Sequence, residues 1–238
     1  VNPNGAVTSR MTHSHPNMAQ IPSSNSPYGE DCRACWTVPK GYKLVGIDAS
    51  GLELRMLAHY LDDEGYTNEI LNGDIHTANQ KLAGLESRNQ AKTFIYALLY
   101  GAGDEKIGSV VGGSRKQGKE LKQRFLDNLP TFKTLKDKVQ GAAKRGYLMG
   151  IDGRKIYIRH EHAALNSLLQ GGGAIVMKKG LEILEGKLKL RGVPFKFVAN
   201  IHDEWQIEVP NTDANNIGDW AVDSLREAGE HFKMRCPL

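Results

Sequence analysis

The chain has 238 residues, 40% hydrophobic and 24% charged, with a formal net charge of +4 at pH 7. That length buries a substantial core, as one large domain or two small ones, and the mild basic excess suits a polyanionic partner without demanding one. No apolar run reaches the roughly 18 residues of a membrane-spanning helix, and three cysteines do not frame a disulfide scaffold at this size. No signal peptide is visible and the sequence starts at Val1 without a methionine, so a segment of a longer protein in a reducing compartment is expected.

Residues 1–40 are rich in Asn, Pro, Ser and Gly and have little periodicity, which predicts extended and turn structure. Their hydrogen-bonding side chains, Arg10, His13, His15, Asn17 and Gln20, suit either a solvated leader or a segment that lies on another surface. Cys32-Arg33-Ala34-Cys35 has the spacing of a zinc or redox pair, but no second pair accompanies it; ordinary reduced thiols are the alternative. The run LVGIDASGLELR, Leu44–Arg55, reads as a short buried strand ending on Asp48, a tight exit through Ala49, Ser50 and Gly51, and a helix over 52–61. Asp48 is either a helix cap, with Ser50 as rival, or a catalytic or metal-binding acid.

Asn72-Gly73-Asp74 marks a turn, with Asp74 placed to cap a helix from Ile75. A further helix spans Ser87 to Tyr100 and stops at Gly101 and Gly103. The glycines of 101–108 are not a dinucleotide-binding loop, because the spacing is wrong and no strand precedes them. Residues 114–145 are basic and form a helix, a break at Pro130 and a second helix. A turn over 151–154 and a strand over 155–159 lead into a long helix over 162–189. Gly171, Gly172 and Gly173 inside that helix each cost about 1 kcal/mol against alanine and suggest a backbone passing close by. Phe195, Phe197, Ala199, Ile201, Trp205, Ile207 and Val209 alternate, interrupted by His202-Asp203-Glu204; this predicts a hairpin whose bend carries two acids. A last amphipathic helix covers 213–229.

Three constellations carry chemistry. Asp48 and Asp203-Glu204 sit at strand ends, where a carboxylate is costly unless solvated, paired or metal-bound; brought together, they would suit magnesium or manganese. Otherwise they are two separate turn acids. Arg88, Lys92, Tyr96 and Tyr100 recur every four residues on one helix face. Cations at the helix N-terminus make a phosphate receptor, and the phenols a stacking platform; a plain amphipathic surface helix explains the same spacing. His162, Asn166 and Gln170 make a second four-residue stripe, suited to reading groove edges or simply to facing water. Together they point to metal-assisted phosphoryl or nucleotidyl transfer on nucleic acid, with a non-catalytic nucleic-acid-binding module or a metal-dependent nuclease as alternatives.

In chain order, TSRMTHSHPNMAQIP, GIDASGLELR, RNQAKTFIYALLYGAG, DGRK with HAALNSLLQ, and IHDEW resemble the primer-template segment, motif A, motif B, the minor-groove segment and motif C of family A DNA polymerases, the DNA polymerase I family. The short-tailed bacteriophage branch is the most similar, and the match covers nearly all of the chain. The resemblance implies an α+β fold of polymerase right-hand architecture: an antiparallel palm sheet with packed helices plus a helical fingers subdomain, without thumb or exonuclease domain in these residues. Residues 1–61 would be the first part of the palm, 62–150 the fingers and 151–238 the second part of the palm.

The roles implied by the resemblance follow position by position. Asp48, the Ala49 carbonyl and Asp203 would hold two Mg2+ ions, with Mn2+ as a substitute, and Glu204 would support them. His76, Arg88 and Lys92 would grip the triphosphate, with Lys92 the general acid for pyrophosphate. Glu53 would exclude a 2′-hydroxyl, Tyr96 would tolerate dideoxynucleotides, and Tyr100 would stack near the new pair. Arg10, Asn17, Gln20, Asn166, Gln170 and His202 would contact the duplex. Primer-template DNA and deoxynucleoside triphosphates are the implied partners, in the cytoplasm of a bacterial host and with no membrane; a thioredoxin-like processivity partner would belong only to a full-length protein. Ser9 stands where the family usually has glycine, His162 replaces a common arginine, and the link at Gly146–Gly150 is short.

Overall fold

The computed structural model describes residues 1 to 238. From the N-terminus the chain forms α1 (Gly29–Ala34), β1 (Tyr42–Asp48), α2 (Leu52–Leu61), α3 (Glu64–Leu71), α4 (Ile75–Ala83), α5 (Arg88–Leu99), α6 (Asp104–Ser109), α7 (Arg115–Asn128) and α8 (Pro130–Ala143). It continues through β2 (Tyr147–Met149), β3 (Lys155–Tyr157), α9 (Ala164–Leu190), β4 (Lys196–Ile201), β5 (Glu204–Pro210) and α10 (Ala214–His231). The residues fall into two compact units, Val1–Leu52 with Gly171–Leu238, and Glu53–Gln170.

The first unit is built on an antiparallel sheet in the order β1-β5-β4. The alternation along β5 puts Trp205, Ile207 and Val209 on one buried face. Helices cover that face: a Cβ added at Gly180 of α9 would lie 2.9 Å from the Trp205 ring and 3.1 Å from Leu225 of α10. Burying a large apolar side chain of this kind contributes roughly 1.5–3 kcal/mol, so the odd-numbered positions of the hairpin hold the unit together. The hairpin matches the sequence expectation, with a register shift between Phe197 and Ala199.

The strand expected to be buried is mostly exposed. Within β1 only Ile47 is buried, while Leu44 is 40% accessible. The cause is position: β1 is an edge of the sheet, paired on one side only, and an apolar run does not reveal which strand ends up central. Leu44 instead borders a cavity of about 370 Å³ together with Met18, Trp36 and Val198.

The N-terminal segment is not a solvated leader. His13 Nε2 is 2.7 Å from the Asn200 carbonyl, and Lys178 Nζ donates to the Pro3 carbonyl and Asn4 Oδ1, each at 2.6 Å. The segment therefore lies on β4 and α9. It is largely extended as expected, apart from one tight turn of helix at Met18–Gln20 and the short α1.

In the second unit Phe125 of α7 meets Phe94 of α5 and Phe132 of α8 edge to face, with ring centroids 5.5 and 5.4 Å apart, a geometry that favours the ring quadrupoles. Pro130 takes the first turn of α8, where its missing N–H costs nothing. Gly101 ends α5 at φ +76°, and a Cβ there would lie 2.1 Å from the His162 carbonyl oxygen. Only glycine satisfies both conditions. Gly171, Gly172 and Gly173 are all buried, and further along the same helix Gly180 is approached closely by the Trp205 and Leu225 side chains.

Candidate active site

Sheet register brings the strand-end acids together in the first unit. Asp48, the last residue of β1, is paired with Glu204, the first of β5. One step beyond, the Ala49 N–H donates to the Asp203 carbonyl at 3.0 Å. The bend between β4 and β5 is only two residues long, and His202 turns it at φ +55°, so Asp203 stays beside the end of β1. Asp48 is exposed and accepts no hydrogen bond, which removes the cap reading and leaves the acid available to a ligand. The Glu204 carboxylate accepts a hydrogen bond from Gln206, two residues on and therefore on the same strand face. Gly46 makes room for both, since a Cβ there would come within 2.8 Å of Gln206 Nε2 and 3.0 Å of Glu204 Oε1.

Asp203 also accepts a hydrogen bond from Arg10 Nη2 at 3.0 Å, and the two side chains are only 17% and 20% exposed. The sequence reading assigned Arg10 to DNA and Asp203 to metal, and did not foresee their contact. No trio of His, Cys, Asp or Glu side chains is arranged to enclose a cation alone. The oxygen groups carried by these neighbouring strand ends, the Asp48 and Asp203 carboxylates and the Ala49 carbonyl, are of the kind magnesium takes, binding through one or two carboxylates with its remaining oxygens from water and phosphate.

The second unit presents the basic stripe. Ser87 caps α5 reciprocally with Gln90, which fixes the helix start at Arg88. Arg88, Lys92 and Tyr100 are exposed and Tyr96 is half-buried, with the Tyr96 and Tyr100 ring centroids 6.2 Å apart. Arg88 is already engaged: its Nε and Nη2 donate to Asp74 at 2.6 and 3.2 Å. Asp74 also caps α4 through the His76 N–H at 3.1 Å. The Arg88 hydrogen bond, then that of Thr77, holds the Asp74 carboxyl well below the usual carboxylate range. The sequence signalled Asp74 only as a cap, and missed that it positions Arg88.

His76 stands beside Tyr96, ring centroids 6.4 Å apart, with its Nδ1 buried and unbonded. Burial and then the neighbouring Arg88 lower its pKa, so the imidazole is neutral at pH 7. Glu53 is 8% exposed and accepts from the Tyr100 hydroxyl at 2.9 Å and from Gln170 Nε2 at 3.1 Å. Three residues expected to act on ribose, base pair and duplex are thus one hydrogen-bonded group. Of the remaining duplex candidates, Asn166 is half-buried on α9, Gln20 and His202 are exposed in the first unit, and Asn17 caps the Met18–Gln20 turn through the Ala19 N–H at 3.2 Å. Cys32 and Cys35 carry free thiols.

Comparison with known proteins gives the chain's family and fold. The family model for DNA polymerase family A matches residues 1–238. The chain is 45% identical to the DNA-directed DNA polymerase of Enterobacteria phage T3 and 44% identical to that of Escherichia phage T7, in each case over 100% of this chain and 38% of the relative. It is 40% identical to the enzyme of Escherichia phage Phieco32, over 84% of this chain and 39% of the relative. The chain thus spans about two fifths of the length of these relatives. Its fold superposes on the POL domain of Pol1 from M. smegmatis, solved in complex with DNA primer-template and dNTP, with a TM-score of 0.86 at 24% identity over 95% of this chain and 44% of that one. Motif order, sheet register and a family match along the whole sequence agree: this chain belongs to DNA polymerase family A.

Proposed function

We propose that the chain carries the polymerising centre of a phage replicative DNA polymerase, adding deoxynucleotides to a primer 3′-hydroxyl on a DNA template and releasing pyrophosphate. The observation that supports it most is the meeting of the strand-end acids, Asp48 opposite Glu204 and the Ala49 N–H on the Asp203 carbonyl. Asp48, Asp203 and the Ala49 carbonyl would hold two magnesium ions, or manganese in their place. Bound there, the metals would make the 3′-hydroxyl a nucleophile at neutral pH and neutralise the leaving phosphates.

The rest is the chain's own chemistry. Arg88 and Lys92 receive the triphosphate on an exposed helix face, Asp74 keeping the Arg88 guanidinium extended until phosphate competes for it. Neutral His76 contributes a hydrogen bond and no charge. Lys92 donates a proton to the departing pyrophosphate. Glu53, held by Tyr100 and Gln170, occupies the space a 2′-hydroxyl would need. Asn17, Gln20, Asn166, Gln170, His202 and Arg10 contact the duplex, where minor-groove acceptors are common to all correct pairs. The palm corresponds to the sheet-bearing segments and the fingers to the helical segment between them. The setting is the cytoplasm of an infected bacterium, and a thioredoxin-like partner belongs to a longer form of the protein.

Single-nucleotide primer extension with magnesium tests this reading. The chain adds the templated nucleotide, and Lys92→Ala slows addition by about 100-fold or more while still binding duplex. Untemplated addition would contradict the template-directed reading, and shortening of the primer would contradict it in favour of a nuclease.

A further inference from the structure

We propose that Arg10 is a built-in counter-cation for Asp203 that exchanges between this carboxylate and duplex DNA, so that divalent-metal binding and duplex binding reinforce each other. The inference rests on the metal and duplex roles proposed above and adds a link between them. Its basis is the direct bond from Arg10 Nη2 to Asp203 Oδ1 at 3.0 Å, between side chains largely shielded from water. Asp203 lies at the same strand ends as Asp48 and Glu204, with Asp48 opposite Glu204 and the Ala49 N–H on the Asp203 carbonyl, so the guanidinium sits on one of the acids proposed to hold metal. A divalent cation at Asp203 would have to share an oxygen with a positive charge already there, which Coulomb repulsion at short range opposes.

The arginine can leave without unfolding its segment. His13 fastens the backbone to Asn200 at 2.7 Å, and Lys178 holds Pro3 and Asn4. The tethers grip the segment on either side of Arg10, so a change of partner by its long side chain does not require the backbone to move. A guanidinium released from a carboxylate finds its best alternative acceptors on a polyanion. Metal therefore frees the group that binds DNA, and DNA removes the group that blocks metal. The two effects are equal by linkage.

A double-mutant cycle on duplex affinity, in chelator and without nucleotide, isolates the pair. Asp203→Asn tightens duplex binding about tenfold (about 1.4 kcal/mol) in the parent background. In the Arg10→Met background the gain disappears. A second arm reads Mn2+ affinity by electron paramagnetic resonance without DNA: Arg10→Met, and independently Arg10→Gln, bind the ion about tenfold more tightly. Equal gains from Asp203→Asn in both backgrounds would show simple charge removal and overturn the exchange, as would unchanged Mn2+ affinity. Primer extension that fails while the cycle holds sinks the polymerase reading alone; extension that succeeds with a null cycle sinks the exchange alone.

Discussion

At the scale of single residues, the proposed selectivity for the sugar would rest on Glu53, whose two carboxylate oxygens are each engaged, one by Tyr100 and one by Gln170. Glu53→Ala removes the obstacle and leaves both donors unpaired, so ribonucleotide incorporation rises by tenfold or so relative to deoxynucleotide, about 1.4 kcal/mol of lost discrimination, in competitive single-turnover assays. Unchanged discrimination would contradict the assignment. Tyr96→Phe deletes the hydroxyl that would stand in for a missing 3′-hydroxyl, so chain termination by dideoxynucleotides becomes less frequent; equal termination by the two proteins would count against it. His76 gives a pH signature. Its folded pKa lies below the ordinary histidine value, so the unfolded chain binds its proton first as pH falls, and stability declines from about pH 6.5 downward. Urea titrations of the parent and of His76→Asn diverge in that window, the variant showing the shallower decline. Residue identities and spacing were legible in the sequence, but long-range pairing was not. Nothing local to Arg10 or Asp203 announces a contact across 193 positions, and Gln170 at the end of its stripe gave no sign of Glu53.

At the scale of elements, the clearest lever is the end of α5. Gly101→Ala adds a Cβ against the His162 carbonyl at a left-handed position, so equilibrium unfolding shows a loss of about 1–3 kcal/mol; a neutral result would mean that this junction is looser than described. Ser87→Ala, which removes the reciprocal cap, costs about 1 kcal/mol. These helices, the Pro130 break and the hairpin were readable because each carries a strong local signal: a cap, a stop glycine, a proline or strict alternation. The short α1, α3 and α6 were not anticipated. With 6, 8 and 6 residues they complete too few turns to show a period, and isolated they would not form. The β2 strand has three residues and gave no alternation to read. The exposure of β1 followed from its place at the sheet edge, which no run of apolar letters encodes.

At the scale of the whole molecule, a modest net charge of +4 would favour the proposed duplex binding without dominating it. Engagement of about three duplex phosphates by the chain's basic side chains would make the affinity fall about 50-fold between roughly 50 and 200 mM salt; a flat salt response, read by fluorescence anisotropy, would contradict the duplex assignment. The alignment of the whole chain with family A polymerases fixes the family. The division of labour between an acid-bearing sheet and a basic helix face is what the structure adds to the sequence motifs. Asp48 and Asp203, brought together at neighbouring strand ends, are the proposed centre of nucleotidyl transfer. The most direct test is magnesium-dependent primer extension by the chain beside Asp48→Ala and Asp203→Ala, with duplex affinity measured on the same proteins. Both variants are expected still to bind duplex and to lose at least about 100-fold in extension; normal extension by either variant would contradict the metal-binding roles of Asp48 and Asp203.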